Sequence, residues 1–138
     1  MYLGDGNDSI IVTGDIYNGG TINTGNGNDS ITAYGSFNRE GGGLGVALGD
    51  GNDYFYGFGD GSGFLGENGK DTLELPPGSY TIEISFTTVV TFTEDSTFTD
   101  TSQSRKAMMI TSGFEKLIAG GTTYDFSSLT NGQTIIVA

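Results

Sequence analysis

Four aspartates in the first half of the chain end turns of closely similar composition: Asp8, Asp29, Asp53 and Asp71. Glycine stands two residues before each of them, at Gly6, Gly27, Gly51 and Gly69. Aspartate or asparagine stands three residues before, at Asp5, Asn26, Asp50 and Asn68. Four residues before, the first three turns carry Gly4, Gly25 and Gly49, and the fourth carries Glu67. A large apolar residue follows two residues later, at Ile10, Ile31, Phe55 and Leu73.

These residue types supply oxygen atoms of the kind that bind calcium. Calcium takes six to eight hard oxygen ligands at about 2.3–2.6 Å. Glycine permits left-handed backbone conformations, so that the carbonyl oxygens of a turn can face inward, and the aspartate adds a carboxylate. Because one such turn offers only about half of a coordination shell, we expect each ion to bind between two stacked turns.

The spacing of the turns favours such stacking. Successive aspartates are 21, 24 and 18 residues apart, all multiples of three. Between the turns, apolar residues recur with period two, as at Ile31 and Ala33 or Leu73 and Leu75, which is typical of short strands with one buried face. The chain therefore forms coils of about 18 residues that stack strands in parallel, roughly 4.8 Å apart. Four turns in one column leave three gaps, which predicts three Ca²⁺ ions.

The predicted ligands belong to these four turns. The carboxylates are those of Asp8, Asp29, Asp53 and Asp71, and the carbonyls come from Gly4, Gly6, Gly25, Gly27, Gly49, Gly51, Glu67 and Gly69. Two roles stay open for Asp5, Asn26, Asp50 and Asn68: ligation at the ends of the column, or stabilisation of the turn. The opposite turns, at 14–20, 35–43 and 57–63, depart from the pattern, with Ser62 at the aspartate position. We expect that side to be mostly free of metal.

Composition restricts the classes of partner. The chain of 138 residues has a net charge of −12, which repels nucleic acid and anionic membranes. It has no cysteine and no histidine, which excludes disulfides and thiolate metal sites. No apolar segment is long enough to cross a bilayer, and no N-terminal signal peptide is visible. The partners that remain are cations, cationic surfaces and neutral ligands.

The second half of the chain differs in composition, and Pro76-Pro77-Gly78 marks the boundary. Alternating residues at 79–85 and 89–93 predict strands, whereas 93–106 is expected to be a polar loop or an exposed edge. A short helix or 3₁₀ turn and an Asn-Gly turn are expected near the C-terminus. We predict an all-β protein: a right-handed parallel β-roll over 1–76 and a C-terminal β-rich cap over 77–138, packed as one compact unit.

The four turns resemble the glycine-rich nonapeptides of the RTX (repeat-in-toxin) calcium-binding family. The segments that carry the resemblance are "LGDGNDSII", "TGNGNDSIT", "LGDGNDYFY" and "GENGKDTLE", within residues 3–76. The resemblance implies a secreted or cell-surface protein that is exported by a type I-like route and folds when it meets external calcium.

The sequence predicts no enzyme. There is no histidine or cysteine, and Glu83, Glu94, Asp95, Glu115 and Asp125 are scattered acids that we expect to be solvated surface charges. The favoured function is a calcium-binding extracellular structural, adhesion or assembly module. Its first coil has no N-terminal cap, so we expect either a fragment of a longer array or an end that another subunit covers, in a homo-oligomer or fibre. The alternatives are a glycan- or ice-binding module that uses the threonines of 87–101 or the aromatic residues of 54–64, and an accessory fragment of a larger secreted RTX hydrolase or toxin.

Overall fold

A computed structural model describes residues 1–15, 20–35, 44–86, 88–99 and 104–138. These residues form two β-sheets and one short 3₁₀ helix, Phe126–Ser128, and contain no α-helix. Sheet A has eight strands in the spatial order β1 (Tyr2–Asp5), β3 (Gly20–Asn26), β5 (Leu44–Ala47), β7 (Gly61–Leu65), β11 (Ser104–Ser112), β10 (Val89–Thr99), β9 (Gly78–Ser85) and β14 (Thr134–Val137). Sheet B has six, in the order β13 (Thr122–Asp125), β12 (Lys116–Ala119), β8 (Thr72–Leu75), β6 (Tyr54–Tyr56), β4 (Ser30–Ala33) and β2 (Ser9–Val12). The prediction of an all-β protein is confirmed.

The first eight strands alternate between the two sheets. Strands β1, β3, β5 and β7 pair in parallel within sheet A, and β2, β4, β6 and β8 pair in parallel within sheet B. Each aspartate-ending turn leads from a strand of sheet A to the next strand of sheet B. Neighbouring strands in one sheet are therefore separated in sequence by a strand of the other sheet.

The core lies between the two sheets. In sheet B the apolar residues that follow the turns pair in register, Ile10 with Ile31, Ile31 with Phe55 and Phe55 with Leu73. The last three of these side chains are fully buried. From sheet A, Phe64 faces this row, with its ring centroid 5.6 Å from that of Phe55. Burying such side chains contributes roughly 1.5–3 kcal/mol each, so this row anchors the strands that hold the turns.

The strands of the second half of the chain extend the same two sheets. Strand β11 pairs in parallel with β7, and β12 pairs in parallel with β8. The remaining strands add antiparallel neighbours: β9 and β10 in sheet A, β13 in sheet B, and β14 beside β9. The segment that follows Pro77 thus continues both sheets.

The prediction of a polar loop over 93–106 is wrong, since the residues of it that the structure describes lie in strands. The alternative of an edge stays open beyond Glu94, where β10 pairs with β11 alone. Strand β10 extends to Thr99 and β11 begins at Ser104, and β10 lies between β11 and β9 within sheet A. Threonine favours the pleated surface of a sheet, and the two strands pair across Thr93–Thr99 with one irregularity in register. The polar residues beyond Glu94 therefore belong to a two-stranded hairpin that extends from sheet A. The expected 3₁₀ turn is present at Phe126–Ser128.

Candidate metal centre

The four aspartate-ending turns stack in one column, in the order of the sequence. We name them turn 1 (residues 4–8), turn 2 (25–29), turn 3 (49–53) and turn 4 (67–71), and gaps 1, 2 and 3 are the spaces between successive turns. Backbone hydrogen bonds join each turn to the next: the N–H groups of Gly6, Gly27 and Gly51 donate to carbonyl oxygens of turns 2, 3 and 4 at 2.8, 2.8 and 2.9 Å. The stacking that the sequence spacing predicts is therefore present.

Glycine is required in this column both for conformation and for space. Gly25 and Gly49 have φ angles of 103° and 93°, in the left-handed region that other residues rarely adopt. A β-carbon at Gly25 would overlap the carbonyl oxygen of Gly4, and one at Gly49 would overlap that of Gly25. Glu67 adopts φ 75° at the equivalent position of turn 4, so the backbone keeps its shape there at the cost of some strain.

The aspartate side chains form a ladder that runs along the column, which we call the aspartate ladder. The backbone N–H of Asp8 donates to Asp29 Oδ1 at 2.7 Å, and that of Asp29 donates to Asp53 Oδ1 at 2.7 Å. The backbone N–H of Asp53 donates to Asp71 Oδ1 at 2.9 Å. The carboxylates of Asp29, Asp53 and Asp71 thus reach back toward the preceding turn, and one oxygen of each is satisfied by that turn.

The second oxygen of each carboxylate is buried without a hydrogen-bond donor. This holds for Oδ2 of Asp8, Asp29, Asp53 and Asp71, and the last three residues are at most 2% exposed. A buried polar atom without a partner costs roughly 1–3 kcal/mol, and more when it is charged. Four such atoms in one column call for a partner that the protein itself does not supply.

Burial also opposes the ionisation of these carboxyls. Burial raises the pKa of Asp53 above its ordinary value, the hydrogen bond from the Asp29 backbone lowers it, and the charge of the Asp29 carboxylate raises it again. For Asp71, burial together with the charges of Asp53, Glu115 and Glu67 outweighs the hydrogen bond that Asp53 donates, and the pKa rises to about 7. The column concentrates negative potential, which a cation would relieve.

The remaining oxygen atoms at the gaps are backbone carbonyls. A β-carbon at Gly27 would overlap the carbonyl oxygen of Gly6, one at Gly51 that of Gly27, and one at Gly69 that of Gly51. Carbonyl oxygens of each turn therefore point at the glycines of the next. Among the described residues, no three carboxylate side chains converge on one point, so an ion in a gap would need carbonyl ligands as well. The residues present fit a cation that accepts mixed carboxylate and carbonyl oxygens, as calcium does.

The residues of the Asx row (Asp5, Asn26, Asp50 and Asn68) lie outside the ladder and are exposed. The Asn26 side chain donates to Asp5 Oδ1, and that of Asn68 donates to Asp50 Oδ1, both at 2.8 Å. Of the two roles left open by the sequence, these contacts favour stabilisation of the turns. The carboxylates of the pairs are satisfied by their neighbours and face the solvent.

A second row of side chains, which the sequence did not predict, is formed by the residue just before each aspartate. The backbone N–H of Asn28 donates to Asn7 Oδ1 at 2.7 Å, that of Asn52 donates to Asn28 Oδ1 at 2.8 Å, and that of Lys70 donates to Asn52 Oδ1 at 3.0 Å. These bonds run in the opposite direction to those of the aspartate ladder. The recurrence of asparagine at this position in three of the four turns was the available signal.

The sequence also did not predict a role for Glu115 in the column, beyond that of a solvated surface charge. The side chain is exposed as expected, and its Oε2 also accepts the backbone N–H of Asp71 at 2.7 Å, which adds a fifth carboxylate to the ladder. The signal was the segment Gly113–Leu117, in which glycine stands two residues before the acid and leucine two residues after it, as around Asp71. This signal is weak because glutamate replaces aspartate and because the segment lies far from the other turns in the sequence.

The opposite side of the stack offers no comparable row among the residues that can be described. Parts of the turns predicted at 14–20 and 35–43 lie outside the described residues. In the third opposite turn, Asp60 is buried, and its Oδ1 accepts the backbone N–H of Met108 at 2.9 Å. One oxygen of this carboxylate is thus held by a backbone donor of strand β11.

Comparison with known proteins adds no relative: no protein family matches the chain, and neither does any curated protein or solved structure. Within the described ranges, no helix has the length and apolar character needed to cross a membrane.

Proposed function

We propose that this protein binds three calcium ions, one in each of gaps 1, 2 and 3. The observation that carries the proposal is the set of four buried Oδ2 atoms that have no donor, one on each aspartate of the ladder. A divalent cation in the gaps would supply the missing partner for these oxygens and would offset the negative charge of the column. Carbonyl oxygens of the flanking turns complete each ligand set.

The donor chemistry favours calcium over other divalent metals. Every available ligand is an oxygen, because the chain has no histidine and no cysteine, which zinc and later transition metals prefer. Magnesium requires a near-ideal octahedron at about 2.0–2.1 Å and keeps several waters, whereas calcium accepts irregular sets of carbonyl and carboxylate oxygens. The gaps are flanked by backbone on both sides, which suits calcium because its coordination geometry is less restricted than that of magnesium.

We propose further that calcium drives folding of the stacked turns into a closed right-handed parallel β-roll over 1–76, which residues 77–138 cap. Without metal, carboxylates in successive strands lie about 4.8 Å apart and repel one another, and burial disfavours their ionised form. Ligands brought together only in the folded chain make the binding free energy part of the folding free energy. The protein is then ordered where calcium is abundant and loose where it is scarce.

This behaviour suits a non-catalytic structural, adhesion or assembly module that works outside the cell. External calcium is about millimolar, the range in which extracellular calcium modules bind, so folding would follow export. The turn motif alone supports the RTX resemblance, and with it the type I-like route of export.

The proposal is tested by calcium titration of metal-free protein, followed by circular dichroism and by isothermal calorimetry. We expect saturable binding with a gain of β-structure, reversed by a chelator, and little response to magnesium at the same concentration. The variant Asp29→Asn should lose the ions of gaps 1 and 2, whereas Asp125→Asn, which changes an exposed acid far along the chain from turns 1–3, should keep them. Binding that is absent, or that the Asp29 variant retains in full, would overturn the proposal.

A further inference from the structure

The column of turns does not end at turn 4, because the segment Gly113–Glu115 lies on it as a shortened fifth turn. The Asp71 backbone N–H donates to Glu115 Oε2, and the Asp71 carbonyl accepts the N–H groups of Glu115 and Lys116 at 3.0 Å each. Strands β11 and β12, which flank this segment, pair in parallel with β7 and β8, the strands that flank turn 4. Glu115 thus occupies in this fifth turn the position that Asp71 occupies in turn 4.

The space between turn 4 and this segment, which we name gap 4, contains a buried carboxylate oxygen without a partner. Asp71 is fully buried and its Oδ2 accepts no hydrogen bond. A β-carbon at Gly66 would lie 2.7 Å from this oxygen and would overlap the Gly113 carbonyl oxygen. The two oxygens therefore face one small space, which glycine leaves open.

The charges around gap 4 favour a cation. Glu67 and Glu115 both add negative potential at Asp71. Of the two lysines nearby in sequence, Lys116 is paired with Asp125. Lys70 is exposed and lines the same surface depression as Glu115, so its flexible side chain can turn to solvent when an ion binds.

We propose that a fourth calcium ion binds in gap 4, held by the carboxylates of Asp71 and Glu115 and by the Gly113 carbonyl, with water completing the shell. This inference rests on the proposed function and extends it. The ligands come from two segments 44 residues apart, so the ion links the C-terminal half of the chain to the column of turns. It also places Asp71 between two ions rather than at the end of the array.

The test is the number of calcium ions bound at saturation, measured by equilibrium dialysis and calorimetry on the whole chain. The variants are Glu115→Gln and the matched control Glu83→Gln, which changes an exposed glutamate on β9. Glutamine keeps an oxygen that can accept the Asp71 N–H, so the fold is retained while the charged ligand is lost. Glu115→Asp keeps the negative charge, so it distinguishes loss of the charged ligand from a general loss of structure.

We expect four ions for the unaltered chain and for Glu83→Gln, three for Glu115→Gln, and four with a lower affinity at one site for Glu115→Asp. Three ions in both the unaltered chain and Glu115→Gln would overturn the fourth site and leave the proposed function standing. A separate fourth site would also be contradicted if Glu115→Gln lost all calcium binding while its calcium-free circular dichroism spectrum matched that of the unaltered chain. No binding by the unaltered chain would overturn both proposals.

Discussion

Asp53→Asn should change the stability of the protein in opposite directions with and without calcium. Asn Oδ1 can still accept the Asp29 backbone N–H, which Asp53 Oδ1 accepts at 2.7 Å. In metal-free protein the substitution removes a buried carboxyl whose pKa is raised by burial and by neighbouring acids. It should therefore raise the folded fraction. In calcium it removes a charged ligand from gap 2 and from gap 3, and should lower stability.

The size of the loss follows from the position of Asp53 between two gaps. A ligand at about one hundred times its dissociation constant stabilises the folded state by roughly 2.7 kcal/mol. Loss of two such sites should lower the free energy of unfolding by about 5 kcal/mol. Asp8→Asn affects gap 1 alone, and its cost under the same conditions should be about half as large.

The assay is urea unfolding followed by circular dichroism, performed on the unaltered chain and both variants in saturating calcium and after removal of metal. The expected results are a reversal of sign for Asp53→Asn and a cost ratio near two between the variants in calcium. A loss of equal size with and without calcium would refute the reasoning, because the carboxylate would then act only through contacts within the protein.

Three further predictions concern pH, packing and glycine. Burial raises the pKa of Asp71 from 3.8 to about 7, so between these two pKa values the folded state binds more protons than the unfolded chain. The folded fraction of calcium-free protein should therefore fall as pH rises from 5 to 7. A circular dichroism signal that stays constant over this pH range would contradict the prediction. Phe55→Ala should cost about 3–5 kcal/mol in urea unfolding, since the ring is fully buried against Phe64, and a cost below about 1 kcal/mol would argue against the two-sheet core. Gly25→Ala should destabilise the protein far more than Gly4→Ala. Both residues have positive φ, but only at Gly25 would the added β-carbon overlap a carbonyl oxygen, that of Gly4. Equal melting temperatures of the two variants would contradict the stacking of turns 1 and 2.

The column of turns could be predicted from the sequence because its signals are local. Within each turn the glycines, the aspartate and the apolar residue stand at fixed offsets, and register follows once the apolar residues align. The structure pairs Ile31 with Phe55 and Phe55 with Leu73, as that alignment requires. The positive φ angles at Gly25 and Gly49 follow from the same composition.

The second half of the chain was harder to predict because its contacts are distant in sequence. Strand β11 reaches β7 only after the β9–β10 hairpin, and nothing within either strand specifies that pairing. Glu115 joins the aspartate ladder by a backbone contact across 44 residues, in a turn too short to match the pattern of the other four. The partnerless Oδ2 atoms likewise depend on burial by neighbouring turns, which a linear pattern does not reveal.

A crystal structure of the protein grown in abundant calcium tests the central claim most directly. We expect an ion in each of gaps 1, 2 and 3, about 2.3–2.6 Å from aspartate Oδ2 atoms and turn carbonyls. Stacked turns with no ion between them, or with water molecules donating hydrogen bonds to those Oδ2 atoms instead, would contradict it.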